Sequence, residues 1–213
     1  MITVIGNLKG GSGKSTLAFN LGVWLALHSE SVVAYDLDPQ CTLTDVAEVR
    51  REEAYDPALR VHQVHAVNAE QLQAFSGEVL VDVGAANIAA MQEAIGVADR
   101  VVIPVPPSQA DVWATQRFLR IVREALPDSG EVEVLAFVNR ADTHRQVRES
   151  DETEEALGML KGIRVLPHRL CNRTVYRRSL SEGLTVFEMA RNGKAALEFD
   201  VLARDLYPGL APV

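Results

Sequence analysis

Ile2-Thr3-Val4-Ile5, followed by Lys9-Gly10-Gly11-Ser12-Gly13-Lys14-Ser15-Thr16, is the stretch that decides the fold. The first segment is a short apolar, β-branched run. After the second, Leu17, Leu21, Trp24 and Leu25 recur at helical spacing, so the glycines fall at a strand-to-helix junction. Three glycines let the backbone turn sharply and aim successive N–H groups into one concavity, and the helix adds its positive N-terminal end. Such a loop cradles phosphate. Lys14 is placed to reach the β and γ phosphates and Ser15 to hold Mg²⁺ through its hydroxyl. The strict pattern G-x-x-x-x-G-K-[ST] asks for glycine at position 8, where this chain has Leu8; it carries instead a second lysine, Lys9.

Outward from this loop, apolar runs recur at Val32 to Tyr35, Val79 to Val83, Val101 to Val105, Val132 to Val138 and Ile163 to Leu166, with helical patterns between them. This alternation predicts an α/β fold: a doubly wound, mostly parallel sheet covered by helices on both faces. A polar-alternating run around Val61 reads as a half-exposed edge strand, and Ala195, Phe199, Leu202 and Leu206 as the core stripe of a last helix. With 213 residues and no linker or repeat, one domain is expected over residues 1–207, and Pro208 and Pro212 mark a short tail over 208–213. No apolar run approaches bilayer-spanning length and no leader precedes the first strand, so a cytoplasmic protein is expected. Cys41 and Cys171 form no C-x-x-C pair, which excludes a four-ligand zinc site built on them, and His62 and His65 point to opposite faces of a strand.

In open α/β sheets ligands sit at the carboxyl ends of the strands. There the second strand runs into Asp36-Leu37-Asp38-Pro39-Gln40 and the next strong strand into Asp82-Val83-Gly84. Three carboxylates near a phosphate cradle suit a Mg²⁺-nucleotide and its attacking water. For Asp36 taken alone, a helix cap or turn is the competing reading.

Lys9 to Ser15 and Asp36 to Gln40 resemble the deviant Walker A and Walker A′ motifs of the ParA/MinD family of P-loop NTPases, and Asp82 matches its Walker B. Ile103-Pro104-Val105-Pro106-Pro107-Ser108 and Val186-Phe187-Glu188 extend the resemblance, which is nearest to the short, ParF-like partition ATPases; carboxysome-positioning ATPases are built alike. The resemblance implies slow, partner-stimulated ATP hydrolysis with ATP and Mg²⁺ as cofactors. It implies that Lys9 crosses an ATP-bound homodimer to the other subunit's nucleotide, that Asp38 positions the attacking water, and that Ser15, Asp36 and Asp82 act through Mg²⁺. Gly10, Gly11, Ser12, Gly13, Lys14, Ser15 and Thr16 would line the nucleotide. Asn139 matches the position where related proteins recognise adenine, although a turn residue ending a strand is an equal reading.

The formal charge is −8, yet between Glu155 and Glu182 every charged residue is basic: Lys161, Arg164, Arg169, Arg173, Arg177 and Arg178. Such asymmetry marks a candidate polyanion face on an acidic body. The family resemblance implies non-specific DNA binding by the ATP dimer, with Arg164, Arg169, Arg173, Arg177 and Arg178 as candidates, and a ParB-like or small centromere-binding adaptor as partner. It implies a nucleoid-associated protein that partitions a plasmid or chromosome or positions another cargo. Two competing functions are a MinD-like membrane-associated switch and a metabolic ligase of the dethiobiotin synthetase type. No membrane is expected, because Glu198, Asp200 and Asp205 make the terminal helix a poor basic anchor.

Overall fold

The computed structural model describes residues 1–28, 31–127, 130–144 and 147–210. The chain alternates strand and helix as its hydrophobic periodicity dictates. The elements are β1 (Ile2–Ile5), α1 (Lys14–His28), β2 (Val32–Asp36), α2 (Thr42–Glu52), β3 (Val61–Gln63), α3 (Ala69–Ala74), β4 (Glu78–Asp82) and α4 (Ile88–Gly96). The second half continues with β5 (Arg100–Val105), α5 (Gln109–Ala125), β6 (Glu133–Ala141), α6 (Glu149–Gly158), β7 (Arg164–Val165), β8 (Leu170–Cys171), α7 (Thr174–Ser181), α8 (Val186–Met189) and α9 (Lys194–Leu206). The strands lie in the order β3-β2-β4-β1-β5-β6-β7, with β8 against β6, and every pairing among the described residues is parallel.

Each face of the sheet has its own apolar layer, because successive strand side chains point to opposite sides. Ile5, Leu80, Val102 and Phe137 pack under α1 and α9, with Phe19, Trp24, Phe199 and Leu202 filling that layer. Ile2, Val4, Val81, Ile103 and Val138 pack on the other face, under Met91 and Ile95 of α4, Phe118 and Leu119 of α5, and Leu157 of α6. The helical stripes expected from the sequence, Leu17-Leu21-Trp24-Leu25 and Ala195-Phe199-Leu202-Leu206, are all buried. Fully burying such a side chain stabilises by about 1.5–3 kcal/mol.

Two segments differ from the sequence expectation. β6 does not stop at Val138 but continues through Asn139 to Ala141, with a bulge at Arg140, whose φ of 59° is left-handed. That extension gives β8 an edge to pair with, Asn139 opposite Leu170 and Ala141 opposite Cys171. A two-residue strand inside a basic stretch carries no periodicity that sequence reasoning could use. Of the terminal segment, Pro208 to Leu210 follow α9, and Pro212 lies outside the described residues.

The carboxyl ends of β1, β2 and β4 come level, since Ile5 and Asp36 both register with Asp82. This alignment sets the phosphate loop beside both acidic strand ends.

Candidate nucleotide-binding site

The loop after β1 keeps its shape through contacts with two strands, β5 and β6. Asn7, fully buried, donates from Nδ2 to the Pro104 carbonyl of β5 at 2.9 Å and accepts the Lys9 N–H at Oδ1 at 3.0 Å. Arg140 donates to the Gly11 carbonyl at 2.7 Å, and Asn139 donates from Nδ2 to the Ser12 carbonyl at 2.7 Å. Gly11 and Gly13 have φ of 73° and 92°, a region that L side chains rarely adopt. A Cβ on Gly13 would also lie 2.4 Å from Asn139 Nδ2. Carbonyls of the loop are thus held outward, which leaves its N–H groups for an anion.

Asn139 thereby acts as a brace on the loop. Its amide nitrogen is committed to Ser12, although the residue still lines the cavity where the resemblance put it. The cavity has a volume of about 550 Å³ and is lined by Gly10 to Leu17 except Ser12, by Asp38 to Gln40, and on the far side by Leu170 to Arg173 and Tyr176. That volume lies within the usual range for small-molecule and cofactor sites. Lys14, nine-tenths buried, rests its ammonium 3.4 Å from the Lys9 carbonyl at the base of the cradle.

The three carboxylates differ in what occupies them. Asp36, fully buried, accepts from the Asp38 N–H at 3.0 Å and from both the N–H and hydroxyl of Thr44 at 2.9 Å, so it shapes the turn and holds the start of α2. The capping reading weighed for it is therefore what the structure displays, at a position still adjacent to Asp82. Asp38 lines the cavity, accepts from the Gln40 N–H at 3.0 Å, and sits against Gly84, where a Cβ would approach its carboxylate to 2.7 Å.

Asp82 is the strained member: it is fully buried and, among the described residues, neither carboxylate oxygen has a hydrogen-bond partner. Burial pushes its pKa up to about 7, reinforced by Asp36 and Asp38 and opposed by the Ser15 hydroxyl and the Lys14 ammonium. The Ser15 hydroxyl is close enough to favour the carboxylate without forming a well-directed hydrogen bond. An orphaned buried carboxylate beside a loop hydroxyl suits a hydrated divalent cation, which takes oxygen ligands and keeps several waters. Mg²⁺ therefore fits this donor set, with Ser15 and Asp82 nearest to it and Asp36 holding the turn behind.

Lys9 faces away from the cavity lining. Its ammonium is 3.7 Å from Asp111, and the side chain is 44% exposed. Asp111 lies in the first turn of α5, where Ser108 caps the helix by accepting its N–H at 3.1 Å and bonds its carboxylate. Sequence reasoning missed Asn7, Gly84, Asp111 and Arg140. Ser108-x-x-Asp111 is a recognisable helix-start pattern, and Gly84 stands two residues after Asp82, so both carried a signal. Asn7 and Arg140 carried none, since their partners are backbone carbonyls distant in sequence.

Much of the basic tract is paired within the chain. Arg164 pairs with Glu133 at 2.6 Å, Arg169 with Asp151 and Glu154, Arg173 with Glu198, and Arg178 more loosely with Glu182 at 3.9 Å. Arg177 lines the rim of the cavity. The tract looked uncompensated because its carboxylates come largely from β6, α6 and α9, which only the fold brings alongside. Among the described residues no helix is long and apolar enough to cross a membrane.

Residues 3–186 match the family described as the CobQ/CobB/MinD/ParA nucleotide binding domain. The chain belongs to this family. A ParA/MinD-family relative, the maintenance of carboxysome distribution protein A of Halothiobacillus neapolitanus, is 26% identical over 199 residues, covering 91% of this chain and 90% of its own. Cyanothece McdA, in a variant complex with ATP, superposes with a TM-score of 0.74 at 20% identity over 100% of this chain and 97% of its own. A putative plasmid partition protein from Borrelia burgdorferi bound to AMPPNP gives 0.70 at 16% identity, covering 94% and 98%. These likenesses establish the ParA/MinD fold.

Proposed function

We propose that this chain is a ParA-type ATPase switch that dimerises on ATP, binds DNA without sequence preference in that state, and positions a cargo until a partner triggers hydrolysis. The observation that carries the reading is Lys9. On the same loop as Lys14 it points out of its own cavity, where its ammonium makes a partly exposed ion pair with Asp111. A cation so placed can reach a nucleotide in a second subunit, where it offsets the charge of facing triphosphates. Lys14 cradles phosphate within its own subunit, Ser15 and Asp82 hold Mg²⁺, and Asp38, set against Gly84 at the cavity wall, orients the water. Mg²⁺ held there would supply positive charge against the developing charge of the phosphates.

A plasmid or chromosome locus marked by a ParB-like or small centromere-binding adaptor is the cargo of partition proteins; the carboxysome relative supports a protein body as the other cargo of this kind. Nucleoid association would follow from DNA binding. The MinD-like membrane reading finds no support in α9, where Glu198 pairs with Arg173, and Asp200 accepts from Trp24 and pairs with Arg204. The Asp38-Pro39-Gln40 turn favours the switch over the ligase reading.

The test is light scattering and a duplex-DNA shift assay without nucleotide, with ADP and with ATP. ATP alone should produce the dimer and the DNA shift. Lys14→Ala should lose nucleotide binding, whereas Lys9→Ala should keep binding and remain monomeric. A Lys9→Ala protein that dimerises with ATP like the parent would refute the cross-subunit role.

A further inference from the structure

We infer that the exposed face of α5 is a docking surface for an acidic, amphipathic segment of a partner protein, with Trp113 as apolar anchor and Arg117 and Arg120 as carboxylate clamps. α5 buries Val112, Thr115, Phe118, Leu119 and Val122 and turns Trp113, Arg117 and Arg120 outward. These three follow at i, i+4 and i+7, so they form one stripe about 10 Å long at 1.5 Å per residue. Arg123 flanks it, and Glu124 ends it.

The composition of this stripe is what sets it apart. Trp113 is 55% exposed, while the other tryptophan, Trp24, is buried in the core. Nearly every arginine of the candidate basic tract is engaged by a carboxylate of the chain, but among the described residues Arg117, Arg120 and Arg123 have no ion-pair or hydrogen-bond partner. Free guanidinium groups beside an exposed indole are the residue types that dominate protein–protein hot spots. Guanidinium is also suited to bidentate capture of carboxylates.

The neighbouring helix decides between protein and nucleic acid. α6 packs against α5 and carries Glu149, Asp151, Glu152, Glu154 and Glu155, of which, among the described residues, Asp151 and Glu154 alone are ion-paired, both with Arg169. A duplex backbone laid along α5 would meet this carboxylate cluster. A short segment with localised carboxylates and one large apolar side chain avoids it, and matches the charge and shape of the stripe. The surface begins two residues beyond Asp111, the partner of Lys9, so its occupant sits beside the phosphate loop.

The test follows Trp113 fluorescence in the full chain, titrated with a short helical peptide bearing leucines on one face and glutamates a turn apart. Binding should shift the emission to the blue, weaken with salt, and fall about tenfold or more in Arg117→Glu/Arg120→Glu, a double surface variant that keeps its circular dichroism and nucleotide binding. The same peptide with glutamine for glutamate should bind weakly. No shift, an equal shift with the glutamine peptide, or an unchanged affinity in the double variant overturns the proposal. Two further controls can also overturn it: a shift produced by duplex DNA would assign the stripe to polyanions, and a concentration-dependent shift without peptide would assign it to a second copy of the chain.

Discussion

Asp82 holds a carboxylate where the free protein gives it no hydrogen-bond donor, and that arrangement costs stability. Its pKa is raised from 3.8 to about 7, so the folded state binds a proton more readily than the unfolded chain between those values. The cost is absent below about pH 4, where both states are protonated, and complete above about pH 7, amounting to at most about 4 kcal/mol. Asp82→Asn should therefore raise the melting temperature of the nucleotide-free, Mg²⁺-free protein at pH 8 and raise it by much less at pH 5. Calorimetry across that range checks this, and an unchanged difference between the two pH values would remove the cause assigned here. The same substitution should abolish the stabilisation that Mg²⁺ adds in the presence of ATP. At this scale most of the site was legible: Lys9, Lys14, Ser15, Asp38 and Asp82 stand in contiguous motifs whose chemistry depends on order alone. The second role of Asn139 was hidden, because it depends on β6 running past Val138 and reaching the Ser12 carbonyl across 127 positions of sequence.

At the scale of elements, α2 is tied to α8 by a buried ion pair. Arg50 is fully buried, donates to the Pro57 and Gly183 carbonyls and forks onto Glu188 at 2.7 and 2.9 Å. Glu188 also closes a capping box with Thr185 at the start of α8. Glu188→Ala should cost about 3–5 kcal/mol, because it strands the guanidinium. Replacing both, with Arg50→Met and Glu188→Leu, should cost less than the single change, and urea denaturation of the two variants checks the order. The Arg50 and Thr185 hydrogen bonds overcome desolvation and hold the Glu188 carboxyl below its ordinary value of 4.5, so this support is present above about pH 4.5 and lost as pH falls through the lowered pKa. Strands and helices with long periodic patterns were predictable from sequence; β8 was not, nor was the partner of Arg50, 138 residues away. Periodicity reports which face is buried, not which distant group lies against it.

At the scale of the molecule, a chain of charge −8 can bind DNA only where cations are not already spent on its own carboxylates. Arg169, held by two carboxylates, should contribute little, whereas Arg178 is exposed and only loosely paired. If the ATP dimer binds DNA, Arg169→Gln should leave the slope of log affinity against log salt unchanged, and Arg178→Gln should lower it by about one for each phosphate the guanidinium neutralises. The reverse order would place the duplex on the side of α6. The sequence suggested a charge asymmetry but not its neutralisation, since most of the compensating residues lie outside the tract. The strand order has a consequence for synthesis. β1 lies between β4 and β5, both later in the chain, and finds both neighbours only when the chain has grown past residue 105. The phosphate loop hangs from β1, so a nascent chain shorter than that has no scaffold for its nucleotide. Ribosome-bound intermediates of the first half should therefore be blind to ATP, and nucleotide binding should appear only once β5 has been made.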